Sequence, residues 1–133
     1  MSIPGYKRHL SKMEYIKTAQ ELYRMTTQNC IKACKRYYKY GTEATFAMAQ
    51  RILENVIKAN NTHVIKEYEK RTEYLRDALR ELACLSNQLQ FLILYMNLTD
   101  SQWLAWGKQI TLCEDAIKII LASDKARQHK ITT

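Results

Sequence analysis

Chain breakers are almost missing from this sequence. The single proline is residue 4, and the three glycines stand at positions 5, 41 and 107. Proline and glycine are the strongest interruptions of regular backbone, so such a chain holds long helices and few tight turns. Apolar residues recur at helical spacing, and no segment competes with a strand pattern. With 133 residues, 47% of them hydrophobic and 26% charged, the chain is sized for one domain with its own core. It is not composed like a disordered segment.

Four helical segments follow from the periodicity. Ser11-Lys12-Met13-Glu14 reads as a capping box that opens the first, in which Tyr15, Ala19, Leu22, Tyr23 and Thr26 share a face. The pattern weakens at Thr26-Thr27-Gln28-Asn29, whose side chains compete for their own backbone and mark a break. Residues 30–39 then form a further short helical piece. Gly41 suits a left-handed cap, and Thr42 an N-cap for the second segment, with Phe46, Ala49, Leu53, Val56 and Ile57 inward and an end near Asn60-Asn61. The third segment runs over roughly 64–97 along Tyr68, Leu75, Ala78, Leu79, Leu82, Leu85, Leu89, Leu92 and Met96.

Thr99-Asp100-Ser101-Gln102 is a second capping box. It leads into Trp103, Trp106, Ile110, Cys113, Ile117 and Ile120, a 3-4-3-4-3 seam suited to packing on neighbouring helices. Four helices on short links, about 3–5 residues each, predict an all-α, antiparallel up-down-up-down four-helix bundle. Residues 1–133 form that single domain, with a core over about 12–123 and flexible ends at 1–10 and 124–133.

No apolar run approaches the roughly 18 residues of a membrane span, and the opening MSIPGYKRHL lacks the apolar stretch of a signal peptide. Cys30, Cys34, Cys84 and Cys113 sit inside amphipathic segments and read as reduced core cysteines of a cytoplasmic protein. Cys30 and Cys34 share a helix face, but a metal site needs two more ligands. His9, His63 and His129 have no partners at ligand spacing. No phosphate loop or nucleophile elbow is present. We therefore expect no catalytic residues, no metal site and no cofactor.

Charge is the second strong signal. The chain carries a formal +8, and residues 1–39 hold nine bases against two acids. A basic face attracts polyanions through forces that salt screens. Within Lys32-Ala33-Cys34-Lys35-Arg36-Tyr37-Tyr38-Lys39-Tyr40, four bases interleave with three tyrosines. Bases neutralise phosphates, and rings such as Tyr37 stack on unpaired nucleobases. Two other readings stay open: the tyrosines close the corner beside a solvated basic face, or the partner is an acidic or RNA-coated protein. Further along, Arg51, Lys58, Lys66, Lys70, Arg71, Arg76 and Arg80 alternate with acids and read as surface pairs. Trp103 and Trp106 read as core, or as an oligomer contact where exposed.

The order of Ala19-Gln20-Glu21-Leu22-Tyr23-Arg24-Met25-Thr26, Lys35-Arg36-Tyr37-Tyr38-Lys39-Tyr40-Gly41, Ile57-Lys58-Ala59-Asn60, Arg71…Leu75-Arg76…Leu79 and Trp103 resembles a known four-helix bundle family. That family includes the rRNA intervening-sequence proteins and the accessory variability determinant of diversity-generating retroelements. The likeness covers roughly residues 13–122 and is closer to the accessory determinant, through the basic-aromatic corner and the Ala59-Asn60 end of the second helix. The resemblance implies a non-enzymatic basic helper that forms a homopentameric barrel. It further implies binding of the retroelement's reverse transcriptase and template RNA in support of mutagenic cDNA synthesis. The binding candidates are Lys17, Arg24, Lys32, Lys35, Arg36, Tyr37 and Lys39, with Gly41 as the corner glycine. The stretch through Leu10 and the two tryptophans match no family role. A standalone structural or RNA-binding bundle of the intervening-sequence type is the alternative. An enzyme or metal carrier using Cys30 and Cys34 is a weaker third.

Overall fold

The computed structural model of the protein describes residues 5–32 and 41–132. Among these residues are four α-helices and no strand: α1 (Gly5–Ile31), α2 (Glu43–Asn60), α3 (Tyr68–Leu92) and α4 (Asp100–Thr132). Both α1 and α3 pack mainly against α2 and α4. The core is a single cluster built from all four, with Tyr15, Leu22, Ile52, Val56, Leu75, Leu82, Leu85, Leu92, Trp106 and Ile117 fully or almost fully enclosed. Each such aliphatic side chain contributes about 1.5–3 kcal/mol by leaving water. Those contributions hold helices whose intrinsic propensity alone would not.

The inward seams follow the helical period, with local shifts from expectation. On α3 and α4 the expected stripes are buried, apart from Tyr68, Leu79 and Trp103, which are half-buried. On α2 the buried set is Thr45, Ala49, Ile52, Val56 and Ala59, a 4-3-4-3 row. Of the expected row, Ala49 and Val56 are buried, Phe46 and Leu53 are half-buried one residue past the buried Thr45 and Ile52, and Ile57 is exposed. Cys84 is exposed, contrary to expectation. It stands about 200° around the helix from Leu82, on the opposite face. Cys113 is buried and Cys30 half-buried, while Cys34 lies outside the described residues.

Helix ends depart further from the sequence reading. α1 begins at Gly5, so Ser11 lies within the helix rather than capping it. The expected break at Thr26–Asn29 is continuous helix. Thr27 Oγ1 donates back to the Tyr23 carbonyl at 2.8 Å, and Thr26 Oγ1 is taken by Trp106, so neither hydroxyl unwinds the turn. The short piece expected over 30–39 falls beyond Lys32 outside the described residues.

Gly41 has no positive φ. What requires glycine there is closeness: a Cβ at Gly41 would stand 3.1 Å from Leu92 Cδ2. Thr42 occupies the N-cap position with helical angles (φ −72°, ψ −37°) and makes no side-chain cap hydrogen bond. Thr45 Oγ1 instead donates to the Gly41 carbonyl at 2.7 Å.

α3 is shorter than expected at both ends. Before it, His63 Nδ1 accepts the backbone N–H groups of Ile65 and Lys66 at 3.1 Å each, holding a turn where helix was expected. After it, Tyr95 N–H donates to the Leu92 carbonyl at 2.9 Å, tightening the chain out of the α-ladder. The links Asn61–Glu67 and Ile93–Thr99 are therefore longer than the sequence suggested. The second capping box forms: Thr99 N–H donates to Gln102 Oε1 at 2.8 Å, and Gln102 N–H donates to Thr99 Oγ1 at 3.2 Å.

The largest departure is at the end of α4. The expected flexible tail from Asp124 is helix through Thr132, and Asp124 is buried. Its Oδ2 accepts from Arg71 Nε at 2.6 Å. Arg71, expected at the surface, also donates to the Ala59 carbonyl at 2.9 Å and lies 5.9 Å from the centre of the Tyr15 ring. Tyr15 in turn donates to Asn60 Oδ1 at 3.1 Å. One buried polar group thus ties all four helices together. Burial pushes the Tyr15 hydroxyl up in pKa, with the Arg71 cation opposing.

Candidate nucleic-acid interface

Lys17, Arg24 and Lys32 all lie on α1 or at its end, and all three are exposed. Their spacings of seven and eight residues confine them to an arc of about 80° on a helix turning about 100° per residue. The row is roughly 22 Å long at 1.5 Å per residue. Gln28 fills the position between Arg24 and Lys32 at i,i+4 spacing and is exposed on the same face. Sequence reasoning misses it by counting it among break-forming residues. Its four-residue spacing to two bases is the signal that could have found it.

The three bases are not equivalent. Arg24 Nε donates to Glu21 Oε2 at 2.9 Å, and Arg24 Nη2 bonds Glu21 Oε1 as well. The guanidinium holds the Glu21 carboxyl below its usual pKa, and the carboxylate raises Arg24. A polyanion competes with Glu21 for Arg24. Among the described residues, Lys17 and Lys32 make no ion pair.

Lys35, Arg36, Tyr37 and Lys39 lie outside the described residues. Their anchor points are described. Cys30 Sγ approaches the Thr42 carbonyl at 3.7 Å, so the end of α1 and the start of α2 are held side by side. Gln88 Nε2 donates to Thr45 Oγ1 at 3.2 Å, fastening the same corner to α3. Lys32 and Gly41, the described residues on either side of the basic-aromatic segment, therefore stand at the same end of α1, where the basic row also ends.

Glu21 lies within the same arc of α1 and the exposed Glu14 at its edge, so the row is basic by a single net charge. Elsewhere, too, the charges mix. Arg51 pairs with Glu81 across α2 and α3 at 2.8 Å, and Arg80 pairs with Asp77 one turn away. The shallow depression of about 690 Å³ at the start of α3 is lined by Lys66, Glu67, Glu69, Lys70 and Glu73. No single sign dominates there, so it offers a polyanion no continuous track. Burial pushes the thiols of Cys30 and Cys113 up to about 11, which keeps both protonated near neutral pH. Among the described residues no three His, Cys, Asp or Glu side chains converge as a metal site. Among them, too, no helix is long and apolar enough to cross a membrane. Trp106 is core, its ring stacked on Trp103 at 5.8 Å and its Nε1 donating to Thr26 Oγ1 at 3.0 Å.

No protein-family model matches the chain, and no curated protein matches it.

Proposed function

We propose that this chain is a non-enzymatic, cytoplasmic RNA-binding bundle that serves as the accessory subunit of a reverse transcriptase of the diversity-generating-retroelement kind. RNA lies along the outer face of α1 and is held by Lys17, Arg24 and Lys32 together with the segment that carries Lys35, Arg36, Tyr37 and Lys39. The observation carrying this reading is the exposed basic row of α1 that ends where the basic-aromatic segment begins. Lysine and arginine neutralise phosphates with release of counterions, and tyrosine stacks on unpaired bases.

An antiparallel up-down-up-down arrangement is supported by the cross-helix contacts. Cys30 meets Thr42 while Tyr15 meets Asn60, and Thr45 meets Gln88 while Ala59 meets Arg71. A homo-oligomer, a pentamer by the resemblance, multiplies the basic face and raises the effective concentration of RNA and enzyme for each other.

The test is binding of a labelled single-stranded RNA, followed by anisotropy at about 50 and about 200 mM salt. Binding that weakens steeply with salt supports the reading. Lys17→Glu with Lys32→Glu should weaken it and lower the salt slope by roughly 0.7 for each phosphate that is no longer neutralised. Co-purification with a reverse transcriptase separates the accessory role from a standalone RNA-binding bundle. Salt-insensitive binding, or none, removes the nucleic-acid reading.

A further inference from the structure

α4 carries two seams. The inner one runs Trp103, Trp106, Ile110, Cys113, Ile117, Ile120 and ends on Asp124. A second, displaced by two residues and so about 200° around the helix, runs Ala105, Lys108, Leu112, Asp115, Ile119 and Ala122. It has the same 3-4-3-4-3 spacing, and every member is exposed. Leu112 and Ile119 are 46% and 60% exposed, and Leu104 beside them is 74% exposed. A helix that is apolar on both faces is ordinarily covered on both. A 3-4 spaced seam is the pattern that seats another helix.

The two charges in this outer seam determine what covers it. Lys108 and Asp115 make no hydrogen bond or ion pair among the described residues, and Asp115 acts within the chain only at longer range, adding to the Glu114 carboxylate that holds the Lys118 pKa up. They stand on either side of Leu112, four residues before it and three after. In a parallel pair of α4 helices each would meet its own copy, lysine on lysine and aspartate on aspartate. In an antiparallel pair with its two-fold axis at the level of residues 111 and 112, Lys108 is level with the partner's Asp115. Leu104 is then level with the partner's Ile119, and Leu112 lies beside its own copy at the axis. Each favourable contact occurs twice, as an isologous interface requires.

We infer that the outer face of α4 is a self-complementary docking surface for a second copy of this chain, paired antiparallel through Leu104, Leu112 and Ile119 with Lys108–Asp115 ion pairs across the axis. This surface is separate from the basic face of α1, and it permits only even assemblies, a pair or two rings joined face to face.

The experiment is the mass of the full chain in solution by light scattering, with dissociation followed by dilution. The expected result is an even number of chains, ten where the pentameric ring of the proposed function also forms. Lys108→Asp places aspartate opposite aspartate at both contacts and should weaken the pairing roughly tenfold. Lys108→Asp combined with Asp115→Lys should restore it, because the exchange preserves only an antiparallel match. Leu112→Glu with Ile119→Glu should halve the mass with the helical circular-dichroism signal retained. An odd number of chains overturns the proposal, and a single pentameric ring would do so while leaving the accessory reading intact. Pairing that is insensitive to Lys108→Asp, or unrestored by the exchange, overturns it as well. Loss of RNA binding has no bearing on it, since α1 is untouched.

Discussion

Arg71 on α3 and Asp124 on α4 stand 53 residues apart in sequence and form a buried ion pair at 2.6 Å, with side chains only 7% and 2% exposed. An ion pair in that setting gains little over an apolar pair, but breaking one half leaves an uncompensated charge in the interior. Asp124→Ala should cost about 3–5 kcal/mol, measured by urea unfolding. Arg71→Met combined with Asp124→Leu should recover most of that loss. A cost below about 1 kcal/mol for Asp124→Ala would mean that water reaches the pair.

Two glycines should respond in opposite directions to alanine. At Gly41 the new methyl group would press on Leu92 Cδ2 at 3.1 Å, and Leu92 is itself enclosed. We expect Gly41→Ala to lower stability by about 1 kcal/mol, the low end of overpacking costs. At Gly107, inside α4, a Cβ meets nothing within 4 Å. Gly107→Ala should therefore raise stability by about 0.5–1 kcal/mol through helix propensity and a less flexible unfolded chain. Thermal unfolding of the two variants side by side checks both signs.

The buried thiols make stability depend on alkaline pH. Cys113 and Cys30 rise from 9.0 to about 11 on folding because burial disfavours the thiolate. The folded state then holds protons that the unfolded state releases between pH 9 and 11, so stability falls as pH rises through that window. The contribution is fully present below about pH 9. Replacing Cys113 with Ala should flatten the decline, read as the melting temperature between about pH 8 and about pH 10.5. An unchanged slope would contradict a protonated, buried Cys113. The exposed Cys84 should alkylate well before Cys113 at about pH 8, as judged by peptide mass spectrometry.

Two of the misplaced helix boundaries, the start of α1 and the supposed break at Thr26, arise from reading polar side chains as signals without knowing their partners. Ser11-Lys12-Met13-Glu14 and Thr99-Asp100-Ser101-Gln102 have the same pattern, yet only the second lies at a helix start. The first sits in a stretch where nothing stops the helix from continuing back to Gly5. Thr26 looks like a breaker and is a core residue, because Trp106, 80 residues later, donates to its hydroxyl. The overlong α3 arises from a turn before it that His63 holds by accepting two backbone N–H groups, and from the Tyr95 N–H that bonds the Leu92 carbonyl after it. Of the candidate interface, Lys17, Arg24 and Lys32 are legible as an exposed row because helical spacing is local. The neutralising grip of Glu21 on Arg24 requires the actual rotamers.

By itself the sequence determined that this protein is helical, and approximately where its helices lie. Those properties depend on breakers, periodicity and caps within a few residues of one another. Tertiary structure alone decided which polar residues enter the core. Burying Arg71, Asp124 or Thr26 costs free energy unless a partner stands within hydrogen-bond reach. Each such partner here comes from another helix, far away in the chain.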